Sequence, residues 1–136
     1  MNSVLMAIAV VKDDNGRILL RKTDPAKNPY QEPWALFGGQ IDGDGTVQDL
    51  LNKELRERWN FSVSITERLW WDEDIKADHD GEEKRFIYVD ATCTITSGNP
   101  SPVNESESLE WVAVSDLSGY QLNPPTRVLL KRLQYI

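Results

Sequence analysis

Glu54, Glu57 and Arg58 are the residues whose types and spacing point most directly to chemistry. On a helical wheel at about 100° per residue, Glu54 and Arg58 fall on the same arc as the apolar residues of the segment 47–59. Charges on a core-facing arc cost free energy unless they pair with each other or bind an ion. Two accounts therefore stay open: an internal Glu54–Arg58 ion pair at i, i+4, or a metal site beneath the Gly-rich stretch 38–45 that precedes the helix.

The elements that position these side chains follow from hydrophobic periodicity and turn residues. The helix 47–59 begins after Thr46, an N-cap residue with Asp49 three positions further on. The turn 14–16, Asp-Asn-Gly, predicts a hairpin between the first two strands. Mixed strands with two helices on opposite faces predict one domain over residues 1–136, an α/β/α sandwich with a mixed β-sheet between the helices. The predicted strands are 4–11, 18–21, 34–37, 62–71, 85–96 and 109–114, with a loop at 23–33 and a second helix from Pro124 through Leu133.

The composition narrows the classes of function. The 136 residues carry 15 Lys and Arg against 22 Asp and Glu, a net charge of −7, which argues against binding a nucleic-acid polymer or an anionic membrane. One His and one Cys exclude multi-His zinc sites, Cys-based metal clusters and an internal disulfide. No segment approaches the roughly 20 apolar residues of a membrane helix, and the apolar run 4–11 lacks the flanks of a signal peptide. We therefore expect a cytoplasmic protein.

The segment 39–61 resembles the Nudix box, written G-x5-E-x7-R-E-U-x-E-E-x-G-U with U an aliphatic residue, and its spacing fits without a gap. The lead-in 34–39 is similar to the W-x-L-P-G-G that is common in that family. The acidic segment 104–111 resembles the loop before its Trp-containing strand, and 122–125 is similar to its usual ending. The resemblance to the Nudix hydrolase superfamily spans almost the whole chain, and it implies the fold that the periodicity predicts.

The box departs from the family pattern at four of its nine constrained positions. Lys53 replaces an Arg and keeps the charge without the bidentate fork. Gly45 replaces the first Glu, and Asn60 replaces a Gly, with Asn being the next most tolerant of a left-handed backbone. Arg58 replaces the last Glu, which in the family is usually a principal metal ligand. A positive charge therefore stands at the metal position.

The resemblance implies hydrolysis of a diphosphate bond in a nucleoside diphosphate derivative or a nucleoside triphosphate, with Mg²⁺ or Mn²⁺ as the cofactor. The implied metal ligands are the Gly39 carbonyl, Glu54, Glu57 and Glu105. The same three carboxylates are the implied catalytic residues, and Lys53 is expected to orient the glutamates. These ligands could still hold one ion, whereas two or three ions would need more carboxylates.

Two further residues are expected to contact the small-molecule nucleotide substrate. Trp34 is suited to stacking on a base, although core packing explains it equally well, and the Arg58 guanidinium could bind a phosphate. Asp42 and Asp44, near the missing first Glu, could compensate for it in part. The departures from the box also favour a rival function, a catalytically impaired Nudix-fold module that binds a nucleotide or a protein. By resemblance alone, the chain is expected to form a homodimer.

The densest acidic stretch, 72–83, carries seven acids and is interpreted as a solvated hairpin loop, because its spacing fails the EF-hand pattern. His79 within this stretch is expected to be exposed and non-catalytic. Cys93 lies inside the predicted strand 85–96 and is expected to be a small core residue. None of these features is expected to take part in catalysis.

Overall fold

The computed structural model describes all residues, 1–136, as strands, two α-helices and one 3₁₀ helix joined by turns and loops. The helix at 47–59 has the predicted bounds and the second helix ends one residue early, at Arg132, whereas the 3₁₀ helix was not predicted. No helix combines the length and the hydropathy that crossing a bilayer requires. The elements are β1 (Ser3–Val11), β2 (Arg17–Lys22), β3 (Trp34–Ala35), β4 (Phe37–Gln40), α1 (Val47–Trp59), β5 (Phe61–Ala77), β6 (Glu83–Gly98), β7 (Ser108–Ala113), a 3₁₀ helix (Val114–Gly119) and α2 (Pro124–Arg132).

The strands form two sheets. One is a mixed four-stranded sheet in the order β4-β1-β6-β5, in which β1 runs parallel to β6 and antiparallel to β4. The other is an antiparallel three-stranded sheet in the order β3-β2-β7. The predicted continuous strand 34–37 is wrong, because it breaks at the buried Leu36 so that Ala35 lies in the smaller sheet and Phe37 in the larger. The predicted mixed α/β class with a mixed sheet is confirmed. The second, antiparallel sheet was not predicted.

The predicted hairpin between the first two strands is confirmed at its turn, but the strands do not pair beyond it. The turn itself forms, with Gly16 at φ 72° and the Asp13 carboxylate accepting a hydrogen bond from the Arg17 amide. However, β1 and β2 lie in different sheets and meet through a single bridge, from Lys12 to Ile18. Strand β6 pairs along one edge of β1 and β4 pairs with residues 6–9 on the other, so only the end of β1 is left to meet β2.

Helix α1 is fixed at both ends by side chains. Thr46 Oγ1 accepts from the Asp49 amide and the Asp49 carboxylate accepts from the Thr46 amide, which confirms the capping box. At the other end, Asn60 adopts a left-handed conformation with φ 63°, and its Nδ2 donates to the Ser101 carbonyl. The box position that is usually Gly therefore still requires a left-handed backbone, which Asn tolerates.

The two helices pack into separate parts of the core. Trp59 of α1 is fully buried and packs edge-to-face on Phe37 of β4, with 4.9 Å between the ring centroids. In α2, Leu129 and Leu130 pack in a second apolar cluster with Ile18 of β2. Because strand β1 contributes residues to both clusters, sheet lies between the helices, as the predicted α/β/α arrangement requires.

The β5–β6 hairpin extends further than predicted, and the expected loop over 72–83 is wrong for most of its length. Strand β5 continues to Ala77 and β6 begins at Glu83, so that only residues 78–82 form the turn. Lys84 Nζ lies 2.9 Å from Asp78 and 2.8 Å from Asp80, and the hydrogen bond from Lys84 is the main cause that lowers the pKa of Asp78 to about 2. The hairpin can close on this acidic stretch because Lys84 offsets the charge of the turn.

Two single residues have the expected surroundings. His79 is exposed on the turn, where its Nδ1 lies 2.9 Å from Asp78 Oδ1. Cys93 is fully buried, and burial raises the pKa of its thiol to about 12. A thiol of that pKa stays protonated at neutral pH, which fits a core residue.

Candidate active site

Helix α1 presents Lys53, Glu54 and Glu57 to a cavity of about 310 Å³, which we call the carboxylate cavity. Glu54 is half-buried and Glu57 is exposed. Gln40 at the end of β4 and Asp42 in the following loop line the same cavity. Residues three positions apart share one face of a helix, so both glutamates of α1 face the loop that leads into it.

Gly39 lies directly against the side chain of Glu54. A Cβ atom at position 39 would stand 3.1 Å from Glu54 Cδ and 3.3 Å from Glu54 Oε1, closer than ordinary van der Waals contact. The position of Gly39 is set by its pairing with Ala7 of β1. Since Gly39 has no side chain, the Glu54 carboxyl group reaches the backbone of β4, and these two predicted site residues lie together.

The oxygen donors around the carboxylate cavity suit a single hard cation. Asp42, Glu54 and Glu57 all line it, and carboxylate oxygens are the ligands that Mg²⁺ and Mn²⁺ prefer. Mg²⁺ is commonly held by one or two protein carboxylates together with substrate phosphates, a mode that Glu54 and Glu57 can supply. No three His, Cys, Asp or Glu side chains converge closely enough to hold an ion, so the donor set does not suit a centre of several ions.

Two acids named from the sequence lie elsewhere. Glu105 is exposed in the turn before β7 and does not line the carboxylate cavity. Asp44 is also exposed and does not line it, whereas Asp42 does. The structure therefore brings Gly39, Glu54 and Lys53 together with Glu57 but leaves Glu105 apart from them.

Arg58 does not pair with Glu54, so the expected internal ion pair is wrong. Its Nη2 lies 3.8 Å from Glu107 Oε1, and its guanidinium lies over the Trp59 ring, 4.3 Å from the centroid. The side chain is 45% exposed, so the core-facing position expected from the wheel is also wrong. A long Arg side chain can carry its charge along an apolar surface to solvent, which a helical wheel does not describe.

Glu107 is the buried charge that the sequence analysis missed. Its side chain is 7% exposed and lies between two guanidiniums, with Oε1 3.8 Å from Arg58 and Oε2 3.5 Å from Arg21. The contact to Arg21 lacks hydrogen-bond geometry, so Oε2 has no hydrogen-bond partner. The buried Glu107 carboxylate holds the two guanidiniums close to each other, and burying these charges costs desolvation free energy.

Arg21 was also missed. Its Nε donates to the Leu36 carbonyl at 2.9 Å, and its guanidinium lies 5.3 Å from the Trp59 ring centroid. Burial above all, and then the nearby charge of Arg58, lower the pKa of Arg21. Two features of the sequence could have pointed to these residues. Arg21 directly follows three apolar residues, and Glu107 belongs to the acidic segment 104–111.

Arg58 lines a second cavity of about 270 Å³, which we call the arginine cavity. Its wall carries three cations, Arg21, Lys27 and Arg58, against two acids, Asp24 and Glu107. This positive excess lies in a chain whose net charge is −7. Successive residues of α1 thus serve different cavities, with carboxylates facing one and a guanidinium facing the other.

Trp34 lines neither of these cavities. Its ring packs edge-to-face on Tyr120, with 5.1 Å between the centroids, and Lys22 Nζ lies 5.9 Å from its centre. Its half-buried ring is therefore already used in packing. A contact between Trp34 and a base stays a prediction.

A larger cavity than either of these, about 720 Å³, lies elsewhere, beside the bulges of β5. It is mostly apolar and includes Trp70, Trp71 and Asp90. Burial above all, then the charge of Asp72, raises the pKa of Asp90 to about 6 against the opposing effect of Arg132. None of the predicted site residues lines this cavity, so its size does not make it the candidate active site.

The order of elements and the residues on α1 define a mixed α/β domain of the Nudix type, with a Gly-containing strand leading into a helix that carries paired glutamates. A family model described as NUDIX domain matches residues 3–133. The chain therefore belongs to the Nudix family.

Three known proteins show how far this similarity extends. Nucleoside triphosphatase NudI of Escherichia coli O139:H28 is 29% identical over 124 residues, which are 87% of this chain and 88% of that protein. The MutT NUDIX hydrolase from Burkholderia pseudomallei superimposes with a TM-score of 0.72 at 25% identity, covering 98% of this chain and 99% of that one. The NUDIX domain of Shewanella oneidensis NrtR, solved as a complex with ADP ribose, shares the fold with a TM-score of 0.66 at 18% identity, covering 98% and 86%.

Proposed function

We propose that the chain hydrolyses a diphosphate bond in a nucleoside triphosphate or a nucleoside diphosphate derivative, with one Mg²⁺ or Mn²⁺ ion. The observation that carries this proposal is the contact between Gly39 and Glu54, with Glu57 on the same face of α1 and lining the same cavity. The similarity to nucleoside triphosphatase NudI supports a nucleotide as the substrate class. A cytoplasmic location and a homodimer belong to the same proposal and rest on sequence reasoning alone.

The residues of this chain would divide the work as follows. Glu54 and Glu57 would hold the ion, and Gly39 leaves the space that lets Glu54 reach the backbone of β4. Lys53, which lines the cavity beside both glutamates, would orient them through its positive charge. A bound divalent ion neutralises phosphate oxygens and activates a water molecule for attack on phosphorus. The role of Glu105 as metal ligand or base remains a prediction from the resemblance.

Hydrolysis can be tested with a panel of nucleoside triphosphates and nucleoside diphosphate derivatives, by measuring phosphate or nucleotide release with and without Mg²⁺. Glu54→Gln and Glu57→Gln should each lower the rate by about a hundredfold or more, because each removes a carboxylate from the site. Glu73→Gln is the matched control, since Glu73 is an exposed acid of β5 that lines neither site cavity. Absence of Mg²⁺-dependent turnover on every compound, or full activity in both variants, would exclude the proposal.

A second function, nucleotide binding without hydrolysis, is favoured by Arg58. A guanidinium stands where the box usually has a Glu, it pairs with Glu107, and three acids do not converge on one point. Thermal unfolding with Mg²⁺ alone and with Mg²⁺ plus nucleotide separates the two functions, because a ligand of the folded state raises the melting temperature. A shift with nucleotide and no product release would favour the binding module.

A further inference from the structure

The guanidinium of Arg58 lines the arginine cavity and donates no hydrogen bond within the chain. A guanidinium offers five N–H donors. The ion pair to Glu107, at 3.8 Å, is too long to be a hydrogen bond, and the guanidinium carbon lies over the Trp59 ring, 4.3 Å from its centroid. The N–H donors of Arg58 are therefore available to a ligand.

Two neighbours hold this guanidinium in place before any ligand binds. Trp59 is fully buried, so its ring gives Arg58 a rigid surface to stack on. Glu107 is 7% exposed while Arg58 is 45% exposed, so the carboxylate lies deeper than the guanidinium that it attracts. Glu107 is thus a positioning residue, and a side chain that is already held loses less entropy on binding.

The charge around Arg58 is not balanced. Arg21 is held by the Leu36 carbonyl and lies within reach of the same Glu107 carboxylate, so one acid serves two arginines. The other acid of the cavity, Asp24, accepts a hydrogen bond from the Ala26 amide in its own loop. An anion that enters the cavity would meet an excess of positive charge and would relieve the repulsion between the two guanidiniums.

We propose that the arginine cavity binds a phosphate or diphosphate group directly through Arg58, with Arg21 and Lys27 adding positive charge and with no bridging metal ion. The proposal deepens the proposed function, on which it rests for a phosphate compound as the ligand. The planar fork of Arg matches two phosphate oxygens, and such charged hydrogen bonds are about twice as strong as neutral ones. Arg58 would then bind the ligand itself rather than merely replace a metal ligand.

The test is binding of inorganic pyrophosphate in EDTA, measured by titration calorimetry. The unchanged chain should bind, Arg58→Ala should bind about tenfold to a hundredfold more weakly, and Arg58→Lys should fall between them, because Lys keeps the charge without the fork. Arg56→Ala is the matched control: Arg56 lies on the same helix, is exposed, donates to Ser62 Oγ at 3.2 Å and does not line the cavity. Its affinity should stay within about twofold of the unchanged chain. If Arg58→Ala fails to fold, the comparison of Arg58→Lys with Arg56→Ala carries the test.

Charge reversal gives a second readout. Arg58→Glu places a negative charge beside Glu107 in the arginine cavity, so pyrophosphate binding in EDTA should be lost. Addition of ADP should displace pyrophosphate from the unchanged chain, which would show that a nucleotide uses the same site as the free anion. Binding of ADP and pyrophosphate at the same time, without competition, would overturn the proposal.

Three other results would also overturn it: no binding of pyrophosphate in EDTA, equal affinity in Arg58→Ala, or an equal loss in Arg56→Ala. Failure here is distinct from failure of the proposed hydrolysis, which depends on Glu54 and Glu57. Mg²⁺-dependent turnover without metal-free binding would remove only the present inference. Metal-free binding without turnover would remove only the hydrolysis.

Discussion

Glu107→Gln should destabilise the fold, because it leaves two guanidiniums close together without the acid between them. Glu107 lies 3.5 Å from Arg21 and 3.8 Å from Arg58, and its side chain is 7% exposed. Gln has the same shape, so the change removes the charge without leaving a cavity. Arg21, buried and held by the Leu36 carbonyl, cannot easily turn away from the uncharged amide.

The size of the effect follows from these distances. Two unit charges about 4 Å apart attract by roughly 4 kcal/mol at an effective dielectric constant of 20. Repulsion between the arginines and desolvation of Glu107 oppose that attraction, and solvent screens the half-exposed Arg58. Removing one partner of a well-formed buried pair costs about 3–5 kcal/mol. Because both contacts are longer than an ideal ion pair, we expect Glu107→Gln to lower the free energy of unfolding by about 2–4 kcal/mol.

The assay is thermal and urea unfolding followed by circular dichroism. A loss of about 2–4 kcal/mol should lower the melting temperature by roughly 8–15 °C in a chain of this length. Glu105→Gln is the matched control, since Glu105 lies two residues away, is exposed and makes no ion pair. That control should change stability by no more than about 0.5 kcal/mol.

Equal midpoints for the two variants would refute the reasoning, since Glu107 would then contribute nothing that an exposed acid does not. Salt provides a further check. At about 1 M salt the Debye length falls to roughly 3 Å, which suppresses surface ion pairs and leaves buried pairs much less affected. The difference in stability between Glu107→Gln and Glu105→Gln should therefore persist in high salt. Its disappearance would show that Glu107 acts as a surface charge.

Two other changes have opposite expected effects. Gly39→Ala should lower the hydrolysis rate by about tenfold or more, because the new Cβ would stand 3.1 Å from Glu54 Cδ and displace that carboxyl group, whereas Gly119→Ala meets open space and should leave the rate unchanged. Asp90→Asn should raise the melting temperature at pH 7 more than at pH 4. Burial raises the pKa of Asp90 to about 6 from its ordinary 3.8, so the folded state holds the extra proton, and stability falls as the pH rises through that window. Melting curves at both pH values check this, and equal shifts would contradict it.

Helix α1 was predictable because its signals are local. The capping box of Thr46 and Asp49 and the apolar spacing up to Trp59 lie within 14 consecutive residues, and the bounds follow from them. The pairing of strands is not local. An Asp-Asn-Gly turn extends into a longer hairpin only where both strands have free edges, and most of β1 is paired with β4 and β6, which lie further away in the sequence.

The residues of the candidate site also differ in whether a local sequence signal reveals them. Gly39 and Glu54 are separated by 15 positions, and they were predicted to lie in one site because their spacing matches the box. Arg21 lies on β2 and Glu107 directly precedes β7, both far from α1 in sequence, and no short motif joins them to Arg58. The single domain over residues 1–136, and the roles of Trp34 and Glu105, stay predictions.

Arg58 shows why a wheel cannot assign the charge at the end of a long side chain. Glu57 and Arg58 are adjacent, yet Glu57 lines the carboxylate cavity and Arg58 lines the arginine cavity. Adjacent positions on a helix point about 100° apart, and the length of Arg adds to that separation. If both proposals hold, α1 would offer oxygen ligands for a cation on one side and donors for a phosphate on the other. Replacement of the last Glu of the box would then have moved part of the phosphate binding from a metal ion to the protein itself.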